Sequence, residues 1–114
     1  MDAPLPKPMS PPACDLHGYE FMPLFGAKLF ESDFWSEAND TQRCAALRLW
    51  WAAWRQVPAG SLPTKDAVLC RLAGFEDNLK RWAKVKAIVL HGFILCADGR
   101  LYHPLILPGS HQSF

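Results

Sequence analysis

SLPTKDAVLCRLAGFEDNLKRWAKVKAIVLHGFILCADGRLYHPLI, residues Ser61 to Ile106, carries the pattern from which the fold can be read. Thr64 to Ala73 has the spacing of a short apolar helix, with Thr64 placed as its N-cap and Gly74 as a left-handed stop. Asp77 to Leu90 has the period of a longer amphipathic helix. On a wheel centred at Leu79 and stepped by 100° per residue, Leu79, Trp82, Ala83, Val85, Val89 and Leu90 gather on one side. Lys80, Arg81 and Lys84 fall together on the other. Lys86 lies among the apolar positions, so its stem is expected to run along the core and release its ammonium at the edge. Between Phe93 and Pro104 two short apolar runs flank Asp98-Gly99, a pair suited to a type I′ hairpin turn because that turn needs positive φ at both central residues. Pro104 cannot donate to a ladder and marks the end of the second strand. Helix, turn, helix and hairpin in this order predict a mainly helical winged helix-turn-helix domain with a small β-hairpin as its wing.

Upstream of this stretch, Asn39 to Gln56 is expected as one helix. Asn39 and Gln42 stand at capping-box spacing, and Cys44, Leu47, Trp50, Trp51 and Trp54 form one stripe. Ala46, Leu49 and Ala53 fill most of the remaining circumference. That leaves Arg48, Ala45, Ala52 and Arg55 for water and predicts a helix buried on two sides. Val57 to Pro63 reads as a loop because of Pro58, Gly60 and Pro63. Residues 30–39 contain a short helix capped by Ser32. His17 to Leu29 is interrupted by Pro23 and Gly26 and is expected as an irregular segment or short edge strand. Residues 1–16, with Pro4, Pro6, Pro8, Pro11 and Pro12, form a disordered arm in this reading. The domain then spans 17–106, and 107–114 is a flexible tail.

The 114 residues suit one domain, half of them hydrophobic and a fifth charged. Five Trp, seven Phe and two Tyr bury large areas each, so a core of this size needs neither metal nor disulfide. The net charge of +1 divides unevenly: −2 over residues 1–60 and +3 over 61–106. This is a mild basic bias on the helix-turn-helix half, far below the charge that by itself announces nucleic-acid binding. Cys14, Cys44, Cys70 and Cys96 are widely spaced and read as buried free thiols. No signal peptide opens the chain and no apolar run approaches the roughly 20 residues of a membrane span. A cytoplasmic protein without membrane contact is expected.

Residues 21–35 (FMPLFGAKLFESDFW), 44–63 (CAALRLWWAAWRQVPAGSLP), 68–75 (VLCRLAGF) and above all 97–106 (ADGRLYHPLI) resemble the YdaU-like, prophage-associated family of bacterial domains. The likeness covers about Gly18 to Ile106 and includes Pro23, Pro58, Leu62, Pro63, Leu72, Ala73, Gly74, Asp98, Gly99, Arg100, Tyr102, His103 and Pro104. It implies a winged-helix-like fold akin to the front part of phage replication initiators, with no catalytic residues to carry over. Members of the family commonly continue past the YHP segment into a further helix and a charged tail, whereas this sequence runs eight residues past Ile106.

These observations support two functional expectations. In the first, Lys80, Arg81 and Lys84 lie along a recognition helix, while Arg100 at the wing and Lys65 at the start of the preceding helix reach phosphates. DNA is then the partner, in replication or its regulation. In the second, the domain is a protein-interaction module that docks a replication protein or forms a homodimer through aromatic surface drawn from Phe21, Phe25, Phe30, Phe34 and Trp35. Acidic Glu31, Asp33 and Glu37 beside that cluster speak against DNA on the same side. A zinc site drawn from Cys14, His17, His91, Cys96 and His103 has the wrong spacing. Neither a nucleophile elbow nor a phosphate-cradling loop is present. No enzyme activity, cofactor or metal is expected.

Overall fold

The structure, a computed structural model, describes residues 4–104. In chain order it contains α1 (Gly26–Phe30), α2 (Asp33–Glu37), α3 (Asp40–Trp54), β1 (Ser61–Leu62), α4 (Asp66–Leu72), α5 (Leu79–Val89), β2 (Ile94–Leu95) and β3 (Leu101–Tyr102). The strands form one antiparallel sheet in the order β1-β3-β2, with Ser61 opposite Tyr102 and Ile94 opposite Tyr102 on its other side. The molecule is a single mainly helical domain with a small three-stranded sheet, and α3 at its centre packs against β1, α4 and α5. The tail expected at 107–114 lies outside the described residues.

α3 begins as expected. The Asn39 side chain accepts from the Gln42 backbone N–H at 2.8 Å, and the Gln42 side chain accepts from the Asn39 N–H at 2.8 Å. These reciprocal bonds satisfy two donors that the first helical turn leaves unpaired. The buried face differs from the expected stripe. It is Ala45, Ala46, Leu49, Trp50, Ala53 and Trp54, whereas Cys44 and Leu47 are exposed and Trp51 is half-buried. A helix apolar nearly all round has little amphipathic signal, so which arc is covered depends on where small residues let neighbours approach. Ala45, assigned to water, is one of those points of close approach.

The N-cap of α4 lies one residue later than expected: Lys65 occupies it with no side-chain bond, and Thr64 is exposed outside the helix. Its end follows the expectation. Gly74 takes φ +97°, the Phe75 N–H donates to the Cys70 carbonyl at 3.0 Å, and the Gly74 N–H donates to the Arg71 carbonyl at 3.1 Å. Together these bonds make the Schellman arrangement that satisfies the orphan carbonyls. α5 is capped by Asn78, whose side chain accepts from the Arg81 N–H at 3.2 Å. Trp82 and Val89 are buried, but Leu79 and Ala83, expected on the apolar side, are exposed. Asp66 fastens α4 to α5. Its Oδ1 accepts from the buried Trp82 indole at 2.9 Å and from Lys86 Nζ at 2.9 Å. Those two bonds, Lys86 first, hold its carboxyl below the usual range. Lys86 thus emerges at the core edge, as its position on the wheel implied.

The hairpin forms with a different turn. The Gly99 N–H donates to the Cys96 carbonyl at 3.0 Å and the Cys96 N–H to the Arg100 carbonyl at 2.9 Å. Gly99 has φ +80° while Asp98 stays at negative φ. This is a three-residue loop, a type I turn closed by a left-handed glycine, and not the type I′ turn. Asp98 instead accepts from the Arg100 N–H at 3.1 Å and from the Tyr102 hydroxyl at 2.6 Å. Burial, and then this bond to Asp98, push the Tyr102 hydroxyl up to about 12.

Three further segments depart from expectation. Ser61 and Leu62, read as loop, pair with β3 and are fully buried. The segment 17–29 is irregular through Phe25, one of its two expected forms, and departs only where α1 begins at Gly26. The arm is tied down over residues 4–16. The Pro6 carbonyl accepts from the Ala97 N–H at 2.7 Å, Ser10 Oγ donates to the Ala59 carbonyl at 2.7 Å, and the Cys14 carbonyl accepts from the Ala59 N–H at 2.9 Å. Backbone groups with which proline-rich chain can still bond are what the hairpin tip and the 57–60 loop offer it.

Gly74→Ala is expected to destabilise by about 1–2 kcal/mol, the cost of left-handed backbone for a residue with Cβ, because the added carbon also lies 2.7 Å from Arg48 Nε. Urea unfolding followed by tryptophan fluorescence measures it. In the same assay Asp66→Ala, which strands the buried Trp82 N–H, lowers the midpoint more than Asp66→Asn, which keeps an acceptor there.

Candidate nucleic-acid interface

The outward face of α5 is set by what the inward face buries. With Trp82 and Val89 in the core, residues near half a turn away must face water. Lys80, Arg81 and Lys84 are all exposed and none forms an ion pair among the described residues. Arg81 lies over the Phe75 ring, its guanidinium carbon 5.1 Å from the centroid, which holds the charge close to the turn joining α4 to α5. Glu76, at φ +55°, and Asp77 are exposed just ahead of the helix. The positive face therefore opens at Lys80 and not at the helix entry.

The remaining two basic candidates are placed differently. Arg100 is half-buried, its Nε donating to Ser61 Oγ at 2.8 Å and its Nη2 to Gln56 Oε1 at 3.0 Å. Its guanidinium braces the hairpin against β1 and the end of α3. In the sequence Arg100 reads as a free wing cation, and these bonds are not legible there: the partners lie 44 and 39 positions away in the chain, beyond any local pattern. Lys65 is exposed beside Ala67, Val68, Arg71 and Leu72, around a recess of about 320 Å³ on α4.

Arg48, read only as a solvated position on α3, is brought to Arg81. The two share the lining of a recess of about 340 Å³ with Cys44, Gly74 and Phe75. The signal that could have found it is Gly74, since a side chain there would occupy the space of the Arg48 stem.

Of the aromatic candidates, Phe21, Phe30 and Phe25 are exposed at 75%, 56% and 38%. Trp35 is half-buried, edge-on to Phe30 at 5.1 Å and covered by Arg43, whose Nε and Nη2 donate to the Trp35 carbonyl at 2.9 and 2.7 Å. Phe34 is a core residue. It stacks on His91 with centroids 5.4 Å apart and is tilted against Trp50, which withdraws it from any docking surface.

Among the described residues no group of three or more His, Cys, Asp or Glu is placed to hold a metal ion. His17 pairs with Asp15. His103 is buried edge-on to Trp50 and Phe93, directly under Gly92. Cys70 and Cys96 are buried, and burial pushes both thiols up, while Cys44 is exposed and Cys14 half-buried. The buried pair are therefore poor nucleophiles and poor ligands.

Burial, and then the nearby His91, bring the His103 imidazole down from 6.5 to about 4. A depressed imidazole means the unfolded chain takes up its proton first, so this contribution to stability is complete above pH 6.5 and is lost as pH falls toward 4. The loss amounts to on the order of 3 kcal/mol. Thermal unfolding of wild type should fall across that window, and His103→Gln should flatten the dependence there. Comparison of the chain with protein-family models, with curated proteins and with solved structures gives no match.

Proposed function

We propose that this is a winged-helix domain of the phage and prophage type that binds DNA, in replication or its regulation, through the outward face of α5. The reading rests most on the exposed, unpaired cations Lys80, Arg81 and Lys84 on the second helix of the α4-turn-α5 pair. It is supported by the element order α3-β1-α4-α5-β2-β3 with the last strand central, the arrangement in which a hairpin stands beside a recognition helix. Arg48, next to Arg81, extends the charge toward α3. Arg100 serves as a positioning residue that fixes the hairpin. The resemblance of residues 21–35, 44–63, 68–75 and 97–106 to the YdaU-like family belongs to the same reading, as do a cytoplasmic site of action and the absence of enzymatic chemistry.

With a net charge of +1, affinity comes from a few phosphate contacts and must depend steeply on salt. Exposed Phe21, Phe25 and Phe30 support a second reading, contact with a replication protein or a second copy through the α1 side, which leaves α5 free.

Fluorescence anisotropy with labelled duplex DNA at low and near-physiological salt tests the first reading. Wild type should bind, and Lys80→Glu/Arg81→Glu/Lys84→Glu should abolish binding without changing the circular dichroism spectrum. Single Ala variants should each lower the log-log salt slope by about 1 where the cation meets a phosphate. Absence of binding at low salt, or binding unchanged in the triple variant, would overturn it.

A further inference from the structure

The face of α3 that the core leaves uncovered forms one wall of a groove of about 620 Å³, whose other wall includes Leu72 of α4. Leu47, Trp51, Ala52 and Leu72 line it, and Arg48 and Arg55 flank it. The two arginines stand seven residues apart on α3, two turns or about 10 Å along the axis. Neither makes a hydrogen bond or ion pair through its side chain among the described residues, and Arg55 rests on the Trp51 ring at 5.6 Å. Among the described residues no carboxylate is in the lining itself, and the nearby Asp15 is taken up by the lining residue His17. Beyond Leu72 the rim continues into Lys65 and Arg71, again without an acid. Apolar floor and cationic rim therefore coincide along α3.

We infer that this groove is a docking site for an acidic amphipathic helix of a partner protein. An amphipathic helix presents apolar anchors at i, i+3, i+4 and i+7 to such a floor, and its flanking carboxylates meet the arginines on the rim. Charge complementarity selects the acidic partner over a basic or neutral one.

A single nucleic-acid strand fits the same features less well. Strand binders stack successive bases on successive aromatic faces. Here the rings in the lining are Trp51 and the His17 imidazole; the Arg55 guanidinium lies over the first and Asp15 holds the second. Leucine and alanine make up the rest of the apolar floor, and they suit aliphatic anchors. The groove excludes Lys80 and Lys84 and shares only Arg48 with the recess beside Arg81, and this inference stands whether or not α5 binds DNA.

The test uses the full chain and a labelled designed helix with leucines at i, i+3, i+4 and i+7 and glutamates at the flanking positions. Its controls are the same helix with lysine for every glutamate, and labelled oligo(dT). Anisotropy should show binding of the acidic helix alone, with amide shifts in NMR spectra centred on Leu47, Trp51 and Leu72. Arg48→Glu/Arg55→Glu should weaken it roughly tenfold or more, Leu47→Asp should abolish it, and the triple α5 variant should bind as wild type does. Equal binding of the lysine helix, shifts outside the groove, oligo(dT) binding there in place of the acidic helix, or no binding of the acidic helix would each overturn the inference. Because the peptide charge swap leaves the protein unaltered, the result holds even where an arginine variant fails to fold.

Discussion

α3 touches β1, α4 and α5, and it can do so because its inner face alternates small and large residues. Ala45, Ala46 and Ala53 let neighbouring backbones come close, while Leu49, Trp50 and Trp54 fill the spaces between them. Close packing of this kind tolerates little change of volume in either direction. The elements it fixes are those that carry the cationic face and the groove: α5 with its cations, the hairpin braced through Arg100, and α4 with the far wall of the groove. Asp66 and Gly74 then settle the angle between α4 and α5, one by binding Trp82 and Lys86, the other by ending α4 without a side chain where Arg48 must pass.

The parts of this architecture legible in the sequence are those that depend on near neighbours. The Asn39 capping box, the Ser32 cap, the left-handed stop at Gly74 and the outward grouping of Lys80, Arg81 and Lys84 each follow from residues within one or two turns. What could not be read depends on distant partners. β1 is two residues long, too short to carry an alternation, and exists because Ser61 and Leu62 meet β3 some forty positions later. Arg100 looks like a free cation until Gln56 and Ser61 are placed beside it. α1 is five residues, below the length at which local propensity sustains a helix, and is held by burial of Leu29.

The α3 stripe shows a different limit. When apolar residues surround a helix, periodicity cannot tell the covered arc from the open one, and the assignment fell about a third of a turn away from the buried face. The same ambiguity concealed the groove, because Leu47 and Trp51 looked like core and Arg48 and Arg55 like ordinary solvated charge. Phe34 is the converse case, an aromatic that seemed available for contact and is instead buried, stacked on His91.

The four thiols differ in reach, and this gives the molecule a property useful to anyone working with it. Cys70 and Cys96 are buried and Cys14 is half-covered, whereas Cys44 is open to solvent. Cys44 also lines the recess that Arg48 and Arg81 share, between the cationic face of α5 and the groove along α3. A maleimide dye added under native conditions would attach there first. The unmodified protein thus carries its own attachment point at the border of the two surfaces, where a single fluorophore senses occupancy of either one.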